Sequence, residues 1–253
     1  MSKHAADGSI WLRPQPERSD RLSREKISAA ALAIADSEGF EAISMRRIAG
    51  RLGASTMSLY YYVRTKAELV ALMDDALMAE ILVPEGQLPR GWRNAISAIA
   101  RRTRDVFARH TWALLSMQGA GPGPNAMRHF EQSLEALEEA PLSVPGKLAL
   151  IQLVDDFVFG YSLRTSAARA SFGRDSRVTR SAEALAQQLF KTGAFPRTSR
   201  LFAPANSPDA ARHRQLLMED RFERALAAVL DGAARDLSRS RRSGRRPASP
   251  HDR

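Results

Sequence analysis

Apolar residues recur at three- and four-residue intervals along most of the chain, which is the spacing of one face of an α-helix. The first such stripe lies between Leu22 and Ala35, begins at Ser23, a residue that can cap a helix, and ends before Gly39. Runs that alternate polar and apolar residues are few, and none predicts a strand. The pattern therefore predicts an all-α fold.

Two short helices are predicted next, at residues 45–52 and 56–62, with Ser44 and Ser55 as their N-caps. Gly53 lies between them in the sequence LGAS. Two helices of this length joined by a tight glycine turn are typical of a helix-turn-helix motif. In that motif the second helix enters the major groove of DNA, and its N-terminal residues meet the base edges.

The second of these helices contains three of the four tyrosines of the chain in a row, so they point in three directions. Leu59 and Val63, four residues apart, are its inward anchors. The positions that remain for the groove are Thr56, Met57, Ser58 and Tyr61. We expect the rings of Tyr60 and Tyr62 to pack on the domain and their hydroxyls to reach phosphates. The alternative, in which all three rings only cover a small core, fits Tyr61 least well.

The net charge of +10 includes a basic stretch over the predicted motif, where DNA phosphates would need it. Residues 42–67 hold no acidic side chain and five basic ones: Arg46, Arg47, Arg51, Arg64 and Lys66. The last sixteen residues hold six arginines and one aspartate, with no apolar run to bury, which is typical of a disordered tail. Such a tail either only solubilises the chain or contacts nucleic acid without sequence preference.

The segment LSREKISAAALAIADSEGFEAISMRRIAGRLGASTMSLYYYVRTKAELVALM, residues 22–73, resembles the DNA-binding domain of the TetR (tetracycline-repressor) family of bacterial regulators. The resemblance includes the helix before the motif, the LYYYV end of the recognition helix and the opening of a fourth helix at Thr65. It implies that Ser44 caps its helix and bonds a phosphate, and that Arg46 reaches a guanine or a phosphate. The remaining contacts that it implies come from Ser55, Thr56, Met57 and Ser58 at the start of the recognition helix, and from Tyr60, Tyr61, Tyr62 and Lys66 on the DNA backbone.

The rest of the chain more loosely resembles the tetracycline-repressor-like subgroup, in FARHTWALL, GPGPNAMRHFEQSLEAL and RFERALAAVLDGAARDL. Helices are predicted at 65–83, 91–109, 125–139, 146–170, 178–191 and 209–237. The resemblance implies that these helices bind an effector and that those at 146–170 and 209–237 form a dimer. Candidate cavity residues, each of which could instead be ordinary core, are Trp112, Met117, His129, Phe130, Phe157 and Tyr161.

Other chemistry finds little support in the residues. The chain has no cysteine, which excludes disulfides and thiolate metal sites and fits a cytoplasmic protein. No signal peptide is recognisable, and Lys147, Asp155 and Asp156 interrupt the most apolar stretch, so no membrane span is predicted. The histidines at 110 and 129 lack partners at metal-ligand spacing, and no nucleophile–base pair is apparent. We therefore predict no metal, no cofactor and no catalytic residue.

The expected organisation is a disordered arm at 1–20, a three-helix DNA-binding domain at 21–68, an effector-binding and dimerisation domain at 69–237, and a basic disordered tail at 238–253. The expected function is that of a homodimeric repressor which a small-molecule effector releases from a palindromic DNA operator. The alternatives are a DNA-binding regulator without an effector and an all-α enzyme.

Overall fold

The structure, a computed structural model, describes residues 9–14, 22–116, 122–174, 176–201 and 221–243. Within these residues all regular secondary structure is helical, which confirms the predicted fold class. The helices are α1 Arg24–Glu38, α2 Met45–Leu52, α3 Thr56–Tyr60, α4 Lys66–Ile81, α5 Trp92–Arg109, α6 Ala113–Ser116, α7 Pro124–Ala136, α8 Val144–Arg174, α9 Ser176–Lys191, α10 Pro196–Leu201 and α11 Arg221–Ser243. Among them, no helix is both long and apolar enough to cross a membrane.

The predicted N-caps form at the helix ends that build the N-terminal domain. In each case a hydroxyl oxygen accepts a hydrogen bond from the backbone N–H three residues on, as at Ser23, Ser44, Ser55 and Thr65. These bonds satisfy N–H groups that have no partner inside the helix. Because four caps occur within about forty residues, the sequence determines where each of these short helices begins.

Thr65 and Glu68 have the spacing of a capping box, which forms only in part. The Thr65 hydroxyl accepts the N–H of Glu68 at 3.1 Å. The Glu68 carboxylate, however, accepts the backbone N–H of Arg64 at 2.7 Å instead of that of Thr65. The same carboxylate also accepts a hydrogen bond from each terminal nitrogen of Arg13, both at 2.8 Å. Glu68 therefore joins the N-terminal arm to the start of α4.

The first compact unit of the chain extends to Ser162, and its core is centred on α1 to α4. α1 packs against both α2 and α4, and α4 also packs against α5 and α7. The side chains of Ile27, Ile48, Leu59, Val63 and Met73 are fully buried there. α4 thus contributes to the DNA-binding domain at one end and to the helices beyond it at the other, and it crosses the domain boundary predicted at 68/69 without a break.

The second compact unit begins at Leu163 and contains the end of α8 with α9, α10 and α11. α11 carries a buried stripe of Phe222, Leu226, Leu230 and Ala233, whose spacing of four, four and three residues is that of one helix face. The predicted start of this helix, at residue 209, lies outside the described residues. Its end differs from the prediction because α11 continues through residues 238–243, which the sequence analysis assigned to a disordered tail.

The prediction of a disordered arm at residues 1–20 is wrong for residues 9–14. This segment forms a turn whose Ile10 is only 3% exposed and belongs to the core. Arg24 donates to the Ile10 carbonyl at 2.9 Å, and Arg13 binds Glu68. Six residues are too few to show a helical or strand period, so these contacts had no signature in the sequence.

Candidate nucleic-acid interface

The turn between α2 and α3 depends on the backbone conformation of Gly53. This residue has φ +62° and ψ +33°, a left-handed conformation that side-chain-bearing residues rarely adopt. Gly53 donates its N–H to the Gly50 carbonyl at 3.4 Å, and Ala54 donates to the Ala49 carbonyl at 3.0 Å. These two bonds satisfy the last carbonyls of α2 and redirect the chain into α3, which positions the second helix of the motif.

α3 buries one face and exposes the other, as its sequence predicts. Leu59 and Val63 have no exposed surface, whereas Met57 is 68% exposed and Tyr61 is 71% exposed. Thr56 is also exposed, at the N-terminal end of the helix. Large apolar side chains that stand in water beside one another are typical of a surface that binds a partner. The exposed face of α3 is therefore the candidate for base contacts.

The three tyrosines have three different surroundings. Tyr60 is 47% exposed and Tyr61 more so, but Tyr62 is only 6% exposed and belongs to the hydrophobic core. The expected packing of the Tyr62 ring on the domain is confirmed. Its predicted phosphate contact would have to come from the small part of the side chain that remains accessible, and it stays a prediction.

Hydroxyl groups at the start of α3 are already engaged with one another. The Ser55 hydroxyl accepts the backbone N–H of Ser58 at 3.1 Å and lies 2.8 Å from the Ser58 hydroxyl. Ser58 is half-buried. A base contact from Ser58 would therefore compete with an existing hydrogen bond, whereas Thr56 and Met57 carry no such restriction.

The basic side chains predicted to approach phosphates differ in their surroundings. Arg46, Arg51, Arg64 and Lys66 are exposed, and the Lys66 ammonium lies 5.6 Å from the centre of the Phe40 ring. Arg47, in contrast, forms an ion pair with Glu38 of α1. Since Glu38 neutralises Arg47 locally, the positive surface around α2 and α3 comes mainly from the other four side chains.

α4 is joined to α7 by a buried carboxylate. Asp75 accepts the backbone N–H groups of Asn125 at 2.7 Å and of Ala126 at 3.3 Å, and the Asn125 side-chain amide at 2.8 Å. Gly123, which precedes α7, has no side chain to cap it, and a Cβ at that position would collide with Asp75 and Trp11. Asp75 therefore acts as the N-cap of α7 from another helix.

The predicted cavity residues do not form one cluster. Trp112 donates its indole N–H to Asp36 of α1 at 2.7 Å and stacks on Phe40 at 5.7 Å between ring centres. These contacts lie towards the DNA-binding domain, and the assignment of Trp112 to a cavity stays a prediction. Phe130 is exposed, and Met117 lies outside the described residues. The sequence did not predict the contacts of Trp112, because Asp36 and Phe40 are more than seventy residues away in sequence.

The other predicted cavity residues lie on α7 and α8. On α8 the rings of Phe157 and Tyr161 are 6.1 Å apart. His129 of α7 buries its Nδ1 atom without a hydrogen-bond partner among the described residues, and burial lowers the pKa of its ring. Ser162 of α8 likewise buries an unpartnered hydroxyl, a feature that the sequence did not indicate. A buried polar atom without a hydrogen bond lowers the stability of the fold, so a ligand that bonds to either atom would recover this free energy.

Two stretches of the chain match known families. Residues 27–73 match the bacterial regulatory proteins of the tetR family, and residues 85–237 match the tetracyclin repressor-like, C-terminal domain. The second match alone covers more than half of the chain. The chain belongs to the TetR family.

Similar proteins include a transcriptional repressor and a tetracycline repressor. The HTH-type transcriptional repressor DrrR1 of Streptomyces coeruleorubidus is 32% identical over 226 residues, which are 87% of this chain and 80% of DrrR1. The tetracycline repressor protein class E of Escherichia coli is 28% identical over 148 residues, 58% of this chain and 70% of that protein. The structure of ActR of Streptomyces coelicolor in complex with actinorhodin matches with a TM-score of 0.63 at 28% identity, over 87% of this chain and 98% of ActR.

Membership of the TetR family makes this chain a DNA-binding transcriptional regulator with a C-terminal ligand-binding domain, and it confirms that part of the sequence prediction. Proteins of this family are regulators of transcription and not enzymes. The individual DNA contacts of α2, α3 and Lys66 stay predictions, since they rest on exposure and position.

Proposed function

We propose that this chain is a homodimeric repressor that binds a palindromic operator through α3 and leaves it when an aromatic small molecule binds between the helices of its C-terminal domain. The observation that carries the proposal is the position of α4. Its Leu69 and Met73 belong to the core of the DNA-binding domain, while Asp75 caps α7. One rigid helix therefore takes part in both domains.

The far end of α4 is held as firmly as the near end. The backbone N–H of Val83, just after the helix, donates to the side-chain carbonyl of Gln132 of α7 at 2.9 Å. The side-chain NH₂ of Gln132 donates back to the Val83 carbonyl, also at 2.9 Å. Arg102 of α5 donates to the Glu80 carbonyl at 2.8 Å. A ligand that moves α7 would move α4 with it, because three separate hydrogen-bonded contacts join the two helices to each other and to α5.

The surroundings of α5, α7 and α8 support an aromatic effector. Aromatic rings favour a flat apolar molecule, and Phe107 of α5 meets Phe159 of α8 edge-on at 6.1 Å. The unpartnered His129 and Ser162 would each gain a hydrogen bond from a hydroxyl or carbonyl group of such a ligand. ActR, whose structure contains actinorhodin, supports the same class of molecule for this chain.

Operator release by a ligand of this class tests the proposal. The protein is footprinted on the DNA upstream of its own coding sequence, and the footprint is repeated with actinorhodin as the probe. We expect a protected palindrome whose protection is lost as actinorhodin binds. Actinorhodin binding, measured by calorimetry, without loss of the footprint would contradict effector release and favour an effector-independent regulator.

A matched pair of variants on α7 locates the site. His129→Leu removes the unpartnered ring and should weaken actinorhodin binding, while Met127→Leu changes an exposed side chain of the same helix and should not. Neither substitution touches α3, so both variants should bind the operator as the wild type does. Equal ligand affinity of the two variants would exclude His129 from the site.

A further inference from the structure

A buried histidine joins three parts of the first compact unit. His110, the residue after α5, is only 6% exposed. Its Nδ1 lies 2.7 Å from a carboxylate oxygen of Asp36 on α1, and its Nε2 lies 3.3 Å from a carboxylate oxygen of Glu80 on α4. These three residues are called the His110 bridge below.

Further donors hold both carboxylates of the bridge in place. Trp112 donates its indole N–H to the same Asp36 oxygen at 2.7 Å. Arg109 donates to the same Glu80 oxygen at 2.6 Å. Burial alone would raise the pKa of Glu80, but hydrogen bonds from Arg109 and His110 lower it below its ordinary value. Glu80 is therefore held in its charged form, ready to accept.

The His110 ring meets a different carboxylate at each of its two nitrogens. The two nitrogens lie on different edges of the imidazole, so one ring can join two helices. Because Trp112 also binds the Asp36 oxygen and Arg109 also binds the Glu80 oxygen, the five side chains form one polar network.

The bridge connects elements that belong to different functions. Asp36 lies in the last turn of α1, which packs against α2 of the helix-turn-helix motif. Glu80 lies in the last turn of α4, and His110 follows α5, both beyond the DNA-binding domain. We propose that His110 is a positioning residue that fixes the helix-turn-helix unit of each subunit relative to α4 and α5, and so sets the separation of the two units of the dimer.

This inference rests on the proposed dimeric operator binding. It predicts an effect on DNA binding that a general loss of stability would not produce. The helix-turn-helix motif should stay intact when the bridge is broken, because Asp36 precedes α2 while Glu80 and His110 follow α3. Contact with one half-site should therefore survive. Binding to a full palindrome requires both units at a fixed separation, so the full site alone should lose affinity.

The experiment compares two DNA duplexes, a full palindromic site and a single half-site, by fluorescence anisotropy at low salt. The bridge variants are Asp36→Ala and His110→Gln, and the control is Asp105→Ala, which removes an exposed carboxylate of α5 that pairs with Arg104. We expect the bridge variants to lose about 5- to 50-fold in affinity for the palindrome and to bind the half-site as the wild type does. The control should match the wild type on both duplexes.

Two further readings make the result decisive. The double variant Asp36→Ala/His110→Gln should bind the palindrome about as well as the more affected of the two single variants. The two effects should not add, because both substitutions disrupt the same network. The half-exposed Asp36 side chain makes Asp36→Ala a variant that tests the bridge even where His110→Gln unfolds. Equal loss on both duplexes, or wild-type affinity for the palindrome, would overturn the proposal.

The failure of the proposed function is visible before any variant is made. A wild-type protein that binds the palindrome no better than the half-site would contradict dimeric operator binding, and the role of the bridge in it would fall as well. A wild-type protein that prefers the palindrome, together with bridge variants that keep this preference, would overturn the inference about His110 alone.

Discussion

Tyr60, Tyr61 and Tyr62 are neighbours in sequence, yet the fold gives each a different environment. α3 ends at Tyr60 and Tyr61 keeps a helical backbone conformation at its C-cap, so the consecutive rings point in different directions. Tyr62 completes the core next to Val63, Tyr60 stands at its edge, and Tyr61 is the most exposed. The exposure of Tyr61 and Met57 therefore favours contact with a binding partner over a role in packing.

Substitutions on the exposed face of α3 should separate base contacts from phosphate contacts. Tyr61→Ala and Thr56→Ala should weaken binding to the cognate operator more than binding to random DNA, by about 1–3 kcal/mol where a base contact is lost. Lys66→Ala should weaken both alike and reduce the dependence of affinity on salt. Titrations at several salt concentrations measure both effects. Unchanged operator affinity with a lower melting temperature for Tyr61→Ala would show that Tyr61 is a packing residue.

Gly50 within α2 and Gly53 just after it should respond in opposite ways to substitution by alanine. Gly53→Ala forces a left-handed conformation on alanine and should lower the free energy of unfolding by about 1 kcal/mol. Gly50→Ala, inside the helix with open space around its Cα, should raise it by about 0.5–1 kcal/mol. Urea denaturation without DNA compares the two variants. A gain from Gly53→Ala would show that the turn tolerates another conformation.

Asp74 gives a stability effect that depends on pH. Burial, and then the neighbouring charge of Asp75, raises the pKa of Asp74 to about 6. The folded state therefore favours the protonated carboxyl group. The stability that this preference contributes is lost as the pH rises from 3.8, the ordinary pKa of Asp, through about 6. Asp74→Asn should raise the free energy of unfolding at pH 8 by about 1 kcal/mol, a value reduced for the solvent around a half-buried group. The gain should disappear near pH 4, and a gain that stays constant with pH would contradict this account.

At the scale of elements, the sequence predicted most helices because their caps and apolar spacing are local. Ser44, Gly53 and Ser55 fix the two short helices within one or two residues of the observed ends. The sequence did not predict the contacts of Arg13 with Glu68, of Asp75 with α7, or of His110 with Asp36. Each of these joins residues at least fifty positions apart, and no period or spacing encodes such a pair.

The Asp75 cap of α7 is the element-scale contact with the clearest consequence. Asp75→Asn places an amide nitrogen or a weaker acceptor opposite three donors, so it should lower the free energy of unfolding by about 1–3 kcal/mol. The variant should also reduce the factor by which actinorhodin weakens operator binding, because one of the contacts that join α7 to α4 is then weakened. Thermal melts and operator titrations with and without ligand measure these effects. Asp74→Asn on the same helix is the comparison, since it should raise the free energy of unfolding at pH 8 instead of lowering it. An equal loss of stability in both variants would exclude a special role of the cap.

At the scale of the whole molecule, the DNA-binding unit shares one buried core with α5, the helix that follows α4. Met73 and Ile81 of α4 and Val106 of α5 belong to the same buried cluster as Ile48 of α2. A displacement at one end of such a core cannot be absorbed locally, since close-packed interiors transmit strain. The sequence alone suggested a boundary at 68/69, because a family resemblance marks where a motif ends and does not mark where a core ends.

The symmetry of the operator provides the last prediction. A homodimer places two copies of α3 on one side of the DNA, related by a two-fold axis, so the site should be a palindrome. Its half-sites should be about one helical turn of DNA apart, ~34–36 Å, or somewhat more. Footprinting on the upstream DNA, followed by base-by-base substitution, tests this spacing. Inserting five base pairs between the half-sites turns one of them to the opposite face of the duplex, so it should abolish tight binding, while a change in the flanking sequence should not. A single asymmetric half-site bound by a monomer would show that the dimer is not the DNA-binding form.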